Sequence, residues 1–279
     1  MTPRAVGRRR WRRLLVAVSV AGAVLACAEI GTAPEQPAAI EMVPFPSPSI
    51  VVGDTLRSID GVVAPVRAIV RNTAGDPIED APVRYLYADF NRDTGAVFVD
   101  SLTGVVVARR AITGDARIAA RVGPVLQVIR NLIVTVRPDT LETGASPPPL
   151  SVTLPDTGRS GAQANSSQAV QATLRNLAGT APVPVNGWVV RFGLRRPLNA
   201  ANDTSAAVFL VDDQGRASTI DTTDNSGTAG RRVRVRAASF PTTAVDTVEV
   251  QLSASYRGRL VPGASQVVRL VVRRGAAGP

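Results

Sequence analysis

The sequence predicts an all-β protein made of two like-built β-sandwiches in tandem. Three observations predict it. A strand–turn–strand unit occurs twice, at 66–87 (VRAIVRNTAGDPIEDAPVRYLY) and at 170–194 (VQATLRNLAGTAPVPVNGWVVRFGL). An internal repeat of this size points to two domains of one design. Within each copy the apolar residues alternate: Val66, Ala68 and Val70, then Val83, Tyr85 and Tyr87; Val170, Ala172 and Leu174, then Trp188, Val190, Phe192 and Leu194. A period of two belongs to a half-buried strand, not to a helix. The composition agrees. The apolar 45% is mostly Val, Ala, Leu and Ile, with 23 Gly and 21 Pro to make turns, and no helical period is visible after position 30.

The 279 residues suffice for two domains with cores of their own. Six of the 32 basic residues fall in the first 13 positions, before any Asp or Glu. Without them the balance is 26 against 22, a charge of +4 that serves solubility and gives no strong pull towards nucleic acid.

The amino terminus reads as an export signal. A cationic stretch, 8–13, precedes an apolar run, LLVAVSVAGAVLA at 14–26, which is too short to span a bilayer comfortably. It ends at Val24-Leu25-Ala26-Cys27, and Cys27 is the only Cys of the chain. This ending resembles the lipobox of bacterial lipoproteins. The resemblance implies a cleaved signal peptide over 1–26, acylation of Cys27 and attachment to a membrane. More than one acyl chain makes such attachment durable, at about 0.8 kcal/mol per buried methylene. RRRWRRLL fits a twin-arginine signal loosely and a plain cationic n-region better. Ala28 after the Cys implies, by the same resemblance, the outer membrane rather than the inner. Residues 27–39, small and polar with two Pro, are expected to be a flexible tether.

In the first domain, 40–137, an edge strand at 40–43 is stopped by Pro44, Pro46 and Pro48. Further strands are expected at 50–52, 96–100, 105–108, 116–122 and 125–136. Turns are expected at Gly53-Asp54-Thr55, Gly75, Gly104 and Gly114. The order SIVVGDTL, RNTAGDPI, PVRYLYAD, AVFVDSLTGVVVA, GDARIAARV, LIVTV resembles the bacterial immunoglobulin-like (Big) domains of surface proteins. That resemblance implies Ig-like sandwiches and a role in adhesion or spacing. Residues 138–149 (PDTLETGASPPP) show no apolar period and are expected to be a Pro-rich linker. The second domain, 150–274, repeats the pattern, resembles the invasin/intimin branch, and is expected to close in a hairpin about Arg257-Gly258. Trp188 is expected in its core. Residues 275–279 are expected to be a disordered tail.

Candidate chemistry is sparse. Arg232, Arg234 and Arg236 alternate with Val233, Val235 and Ala237, which puts three guanidiniums on one strand face beside Arg231. Such a row could hold phosphate or sulfate groups of a polyanion. An ordinary solvated face is the simpler reading. Asp212, Asp213, Asp221 and Asp224 lie near turns but lack calcium-loop spacing. There is no His, the one thiol is reserved for lipid, and no nucleophile motif surrounds any Ser. The expectation is a non-enzymatic, monomeric envelope protein with no catalytic residue, cofactor or metal, and no nucleic-acid partner. Its contacts are the membrane through the anchor and an unnamed glycan or protein. The alternative is a carbohydrate- or polyanion-binding accessory.

Overall fold

The computed structural model describes residues 36–89, 95–152, 165–196, 208–236 and 245–274. The signal-like segment, Cys27, most of the tether and the tail lie outside them. Every regular element among the described residues is a strand, so the fold is all-β.

The first sandwich contains β1 (Ala39–Met42), β2 (Ser49–Val51), β3 (Ala68–Arg71), β4 (Arg84–Tyr87), β5 (Val97–Val99), β6 (Val106–Ala108), β7 (Ala116–Val122) and β8 (Leu126–Thr135). One sheet runs β2-β8-β7-β4; against it lie the antiparallel pairs β1-β3 and β5-β6. The alternating side chains meet between the layers. Met42, Ile50, Leu56, Val66, Tyr85, Ile118 and Leu132 form one buried cluster. Tyr85 keeps its hydroxyl satisfied there by accepting the Ala68 amide at 3.1 Å.

The second sandwich contains β9 (Thr140–Thr143), β10 (Leu150–Val152), β11 (Ser166–Asn176), β12 (Val183–Pro184), β13 (Val189–Arg196), β14 (Val208–Val211), β15 (Ile220–Thr222), β16 (Thr228–Val235), β17 (Val245–Ser253), β18 (Ser255–Tyr256), β19 (Arg259–Leu260) and β20 (Gln266–Arg274). Its sheets run β10-β20-β17-β13-β15 and β12-β11-β16-β14, with β9 also on β11. A second, separate cluster fills it, with Leu141, Leu174, Val190, Phe192, Leu252 and Leu270 among its members.

Both sandwiches open the same way, and this corrects the linker expected at 138–149. In the first, β1 pairs antiparallel with β3, the chain crosses to the other sheet, and β2 joins the last strand β8 in parallel. In the second, β9 pairs antiparallel with β11, and β10 joins the last strand β20 in parallel. The two openings lie 101 residues apart, strand for strand. Pro46 and Pro48 occupy the crossing in one copy, Pro147 and Pro149 in the other. Proline has no N–H to give a ladder, so it marks the point where the chain leaves one sheet for its partner. The prolines therefore sit inside the second sandwich, where Leu141 is buried. What joins the sandwiches is four residues, 136–139. In each copy the opening strand thus switches sheets.

The closing hairpin also differs from expectation. β17 pairs directly with β20, from Val245 with Arg273 to Leu252 with Gln266. The turn at Arg257-Gly258 belongs to a small separate hairpin, β18-β19, which projects between them.

Candidate functional site: the seam between the sandwiches

The seam begins at the four-residue connection. Asp139 accepts hydrogen bonds from the Asn176 side-chain amide at 2.7 Å and the Leu177 backbone amide at 2.9 Å, and it pairs with Arg137 at 2.7 Å. Asn176 also donates to the Arg137 carbonyl at 2.9 Å. Beside it, the Asn186 amide donates to the Thr135 hydroxyl at 3.1 Å. Val136 packs on the second core.

Across the gap, the Gly53-Asp54-Thr55 turn faces the β18-β19 hairpin. Asp54 is only 5% exposed. It accepts from the Thr55 amide (2.8 Å), from Arg57 Nε (3.1 Å) and Nη2 (3.2 Å), from the Tyr256 hydroxyl (2.9 Å) and from Arg257 Nε (2.9 Å). The last two come from the other sandwich, more than 200 residues away in sequence. Burial pushes this carboxyl up, but Arg257, Arg57, the Thr55 amide and the Tyr256 hydroxyl outweigh it and hold it well below the usual carboxylate range. Burial and the Asp54 charge in turn push the Tyr256 phenol up. The seam is also close in its backbone: a Cβ on Gly61, whose φ is +88°, would run into Arg257 and Gly258.

Beside the Asp54 knot lies a cleft of about 280 Å³ shared by both sandwiches. Trp188 sits on its wall, edge-to-face with Tyr256 at 6.0 Å and 62°. Trp188 is half-buried and packs on the core, so it is both core side chain and cleft wall. Arg257 lies over the Tyr256 ring at 5.3 Å, and Arg191 crosses the cleft to Asp60 at 2.9 Å.

The arginine row on β16 is only partly a row. Arg234 and Arg236 lie over the Phe209 ring of the neighbouring β14, at 5.9 and 5.1 Å. Arg232 leans to Asp213 at 3.6 Å, and Arg231 pairs with Asp221 at 2.9 Å and donates to the Ile220 carbonyl. The four aspartates are committed to local work. Asp212 accepts the Gln214 and Arg216 amides, both at 2.9 Å, and Asp224 the Ser226 (2.8 Å) and Thr228 (3.0 Å) amides. The Arg216 amide foremost holds the Asp212 carboxyl below its ordinary value; the Ser226 hydroxyl foremost does so for Asp224. No group of three or more potential metal-binding side chains occurs among the described residues.

Sequence alone singles out neither Asp54 nor Arg257. Asp54 reads as a turn residue and Arg257 as a hairpin tip, and no spacing links them. The signal that was available is the repeat of the openings: placing 140–152 on 39–51 removes the linker and leaves the two sandwiches too near to miss each other.

No protein-family model and no curated protein sequence matches the chain. Among solved structures it is similar to Drosophila OTK extracellular domains 3–5, with 10% identity, a TM-score of 0.27, and coverage of 84% of this chain and 61% of that one. It is similar to invasin, a bacterial integrin-binding protein, with 13% identity, a TM-score of 0.27, and coverage of 85% and 39%. It is similar to E. coli alpha-2-macroglobulin, with 15% identity, a TM-score of 0.30, and coverage of 88% and 15%. The chain spans less than two thirds of each of these.

Proposed function

We propose that the protein is a lipid-anchored envelope component whose two Ig-like sandwiches act together as a stiff, non-enzymatic spacer or adhesive module. The observation that supports stiffness is the Asp54 knot, which ties the sandwiches a second time beyond their four-residue connection. A pair held at two points cannot pivot about either one alone. A spacer needs that property, because a hinged pair would not hold a distance from the membrane. The anchor is Cys27, and the outer membrane is its proposed location. Metabolic labelling with a palmitate analogue is expected to mark the wild-type chain and not Cys27→Ala; equal labelling of both removes the anchor from this reading.

A second reading, a polyanion-binding accessory, is favoured by one observation. Phe209 orders the Arg234 and Arg236 guanidiniums, and no carboxylate takes either among the described residues. Replacing Arg232, Arg234 and Arg236 with Gln is expected to shorten retention on heparin; unchanged retention ends this reading.

A further inference from the structure

We propose that the seam cleft binds a single hexuronate unit, the carboxylate-bearing form of a six-carbon sugar. The charge balance of the cleft comes first. The first sandwich contributes Asp54, Arg57 and Asp60, and the second contributes Arg191 and Arg257. Three guanidiniums face two carboxylates, so one positive charge is left over. Asp54 is already saturated by its donors. The excess lies with Arg191 and Arg257: the Arg191 guanidinium spends one nitrogen on Asp60, and the Arg257 guanidinium spends one on Asp54 and also meets the Tyr256 hydroxyl. A ligand carboxylate makes the site neutral, and a guanidinium offers it two parallel donors. The partner it would displace is a weak one: the Arg191–Asp60 pair is 45% and 75% exposed, where ion pairs contribute little.

The lining argues for a sugar rather than a bare anion. Ser49, on β2, is 3% exposed, lines the cleft, and its hydroxyl has no hydrogen-bond partner. A buried hydroxyl left unmade is costly, and a small shift of Ser49 towards the cleft would let a ligand hydroxyl relieve it. Ser58, Ser253 and Ser255 add further hydroxyl-bearing lining, and Trp188 with Tyr256 supplies an aromatic wall. At about 280 Å³ the cleft lies at the small end of ligand sites, the size of one sugar ring and not of an oligosaccharide.

The test is fluorescence titration of the full chain carrying Cys27→Ala and Trp11→Phe, so that emission reports Trp188. Glucuronate and galacturonate are the probes; glucose, galactose and acetate are the comparisons. Either uronate is expected to give a saturable change at millimolar concentration, with the neutral sugars and acetate weaker by about tenfold or more. Arg191→Gln is expected to lose about tenfold in affinity, and Ser49→Ala several-fold, with melting temperatures near the parent's. No saturable response to either uronate, or equal responses to uronate and neutral sugar, or equal responses to uronate and acetate, overturns the assignment. So does unchanged affinity in both variants. A closed seam is a precondition, and an inter-label distance measured under the same conditions on the same chain with one Cys introduced in each sandwich separates an open seam from an empty cleft. Failure here would leave the spacer reading standing.

Discussion

The two sandwiches share their openings and differ in what they do with one asparagine. Asn72 and Asn176 occupy the same place in the Arg-Asn-x-Ala-Gly turn. Asn72 turns its side-chain oxygen to the Ala74 and Asp76 amides, at 3.0 and 2.9 Å, and so shapes its own turn. Asn176 keeps one such bond, to Ala178 at 3.2 Å, and spends its amide on Arg137 and Asp139 of the connection. A repeated motif thus became a joint in one copy while staying a turn in the other. What differs is the neighbour: the second copy receives a chain from the first sandwich at that end.

The largest effects should come from the cores. Phe192→Ala in the second sandwich is expected to cost about 3–5 kcal/mol and Leu132→Ala in the first about 2–5 kcal/mol, read by denaturant unfolding. The seam makes a sharper demand: each change should shift the unfolding of both sandwiches. Two independent transitions, with only one moved, would show that the comparison holds for sequence and not for mechanics.

Next comes Asp54→Asn, expected to cost about 2 kcal/mol, because Arg57 and Arg257 are partly solvated and regain some water. The sign with pH follows from the depressed carboxyl. Its contribution is complete above about pH 5, where the unfolded carboxyl is essentially fully ionised, and drains away as the pH falls below that towards the folded value. Wild type should therefore lose stability in acid more steeply than Asp54→Asn, as acid melts of the pair would show. Parallel curves would contradict the knot.

The asparagines give the smallest contrast. Asn176→Ala should cost about 1–2 kcal/mol and Asn72→Ala less than about 1 kcal/mol, since only the first breaks bonds to the connection. Equal costs in thermal melts would mean that Asn176 has no joint function.

The strands were legible because alternation is local: Val170, Ala172 and Leu174 stand in sequence as they stand in the core, all fully buried. Turns were legible for the same reason. β9 was not, because Thr140–Thr143 is four residues with a single buried apolar side chain, and its identity comes from pairing with β11. The Pro run beside it looked like a linker because proline marks a chain crossing between sheets and a domain boundary alike. The Asp54 knot was invisible for a stronger reason. A buried carboxylate paired across two domains leaves no periodicity, only an acidic turn residue of a kind the chain has many times over. Phe209 was missed likewise: it lies beside Arg234 through strand pairing, not through spacing.

The most direct test of the account is whether the sandwiches move as one. Spin labels at Val125→Cys, on the exposed far turn of the first sandwich, and Gln214→Cys, on an exposed turn of the second, in a Cys27→Ala background, would report their separation by pulsed EPR. A single narrow distance that broadens in Asp54→Asn is the predicted result. A broad distribution already present with Asp54 intact would contradict it.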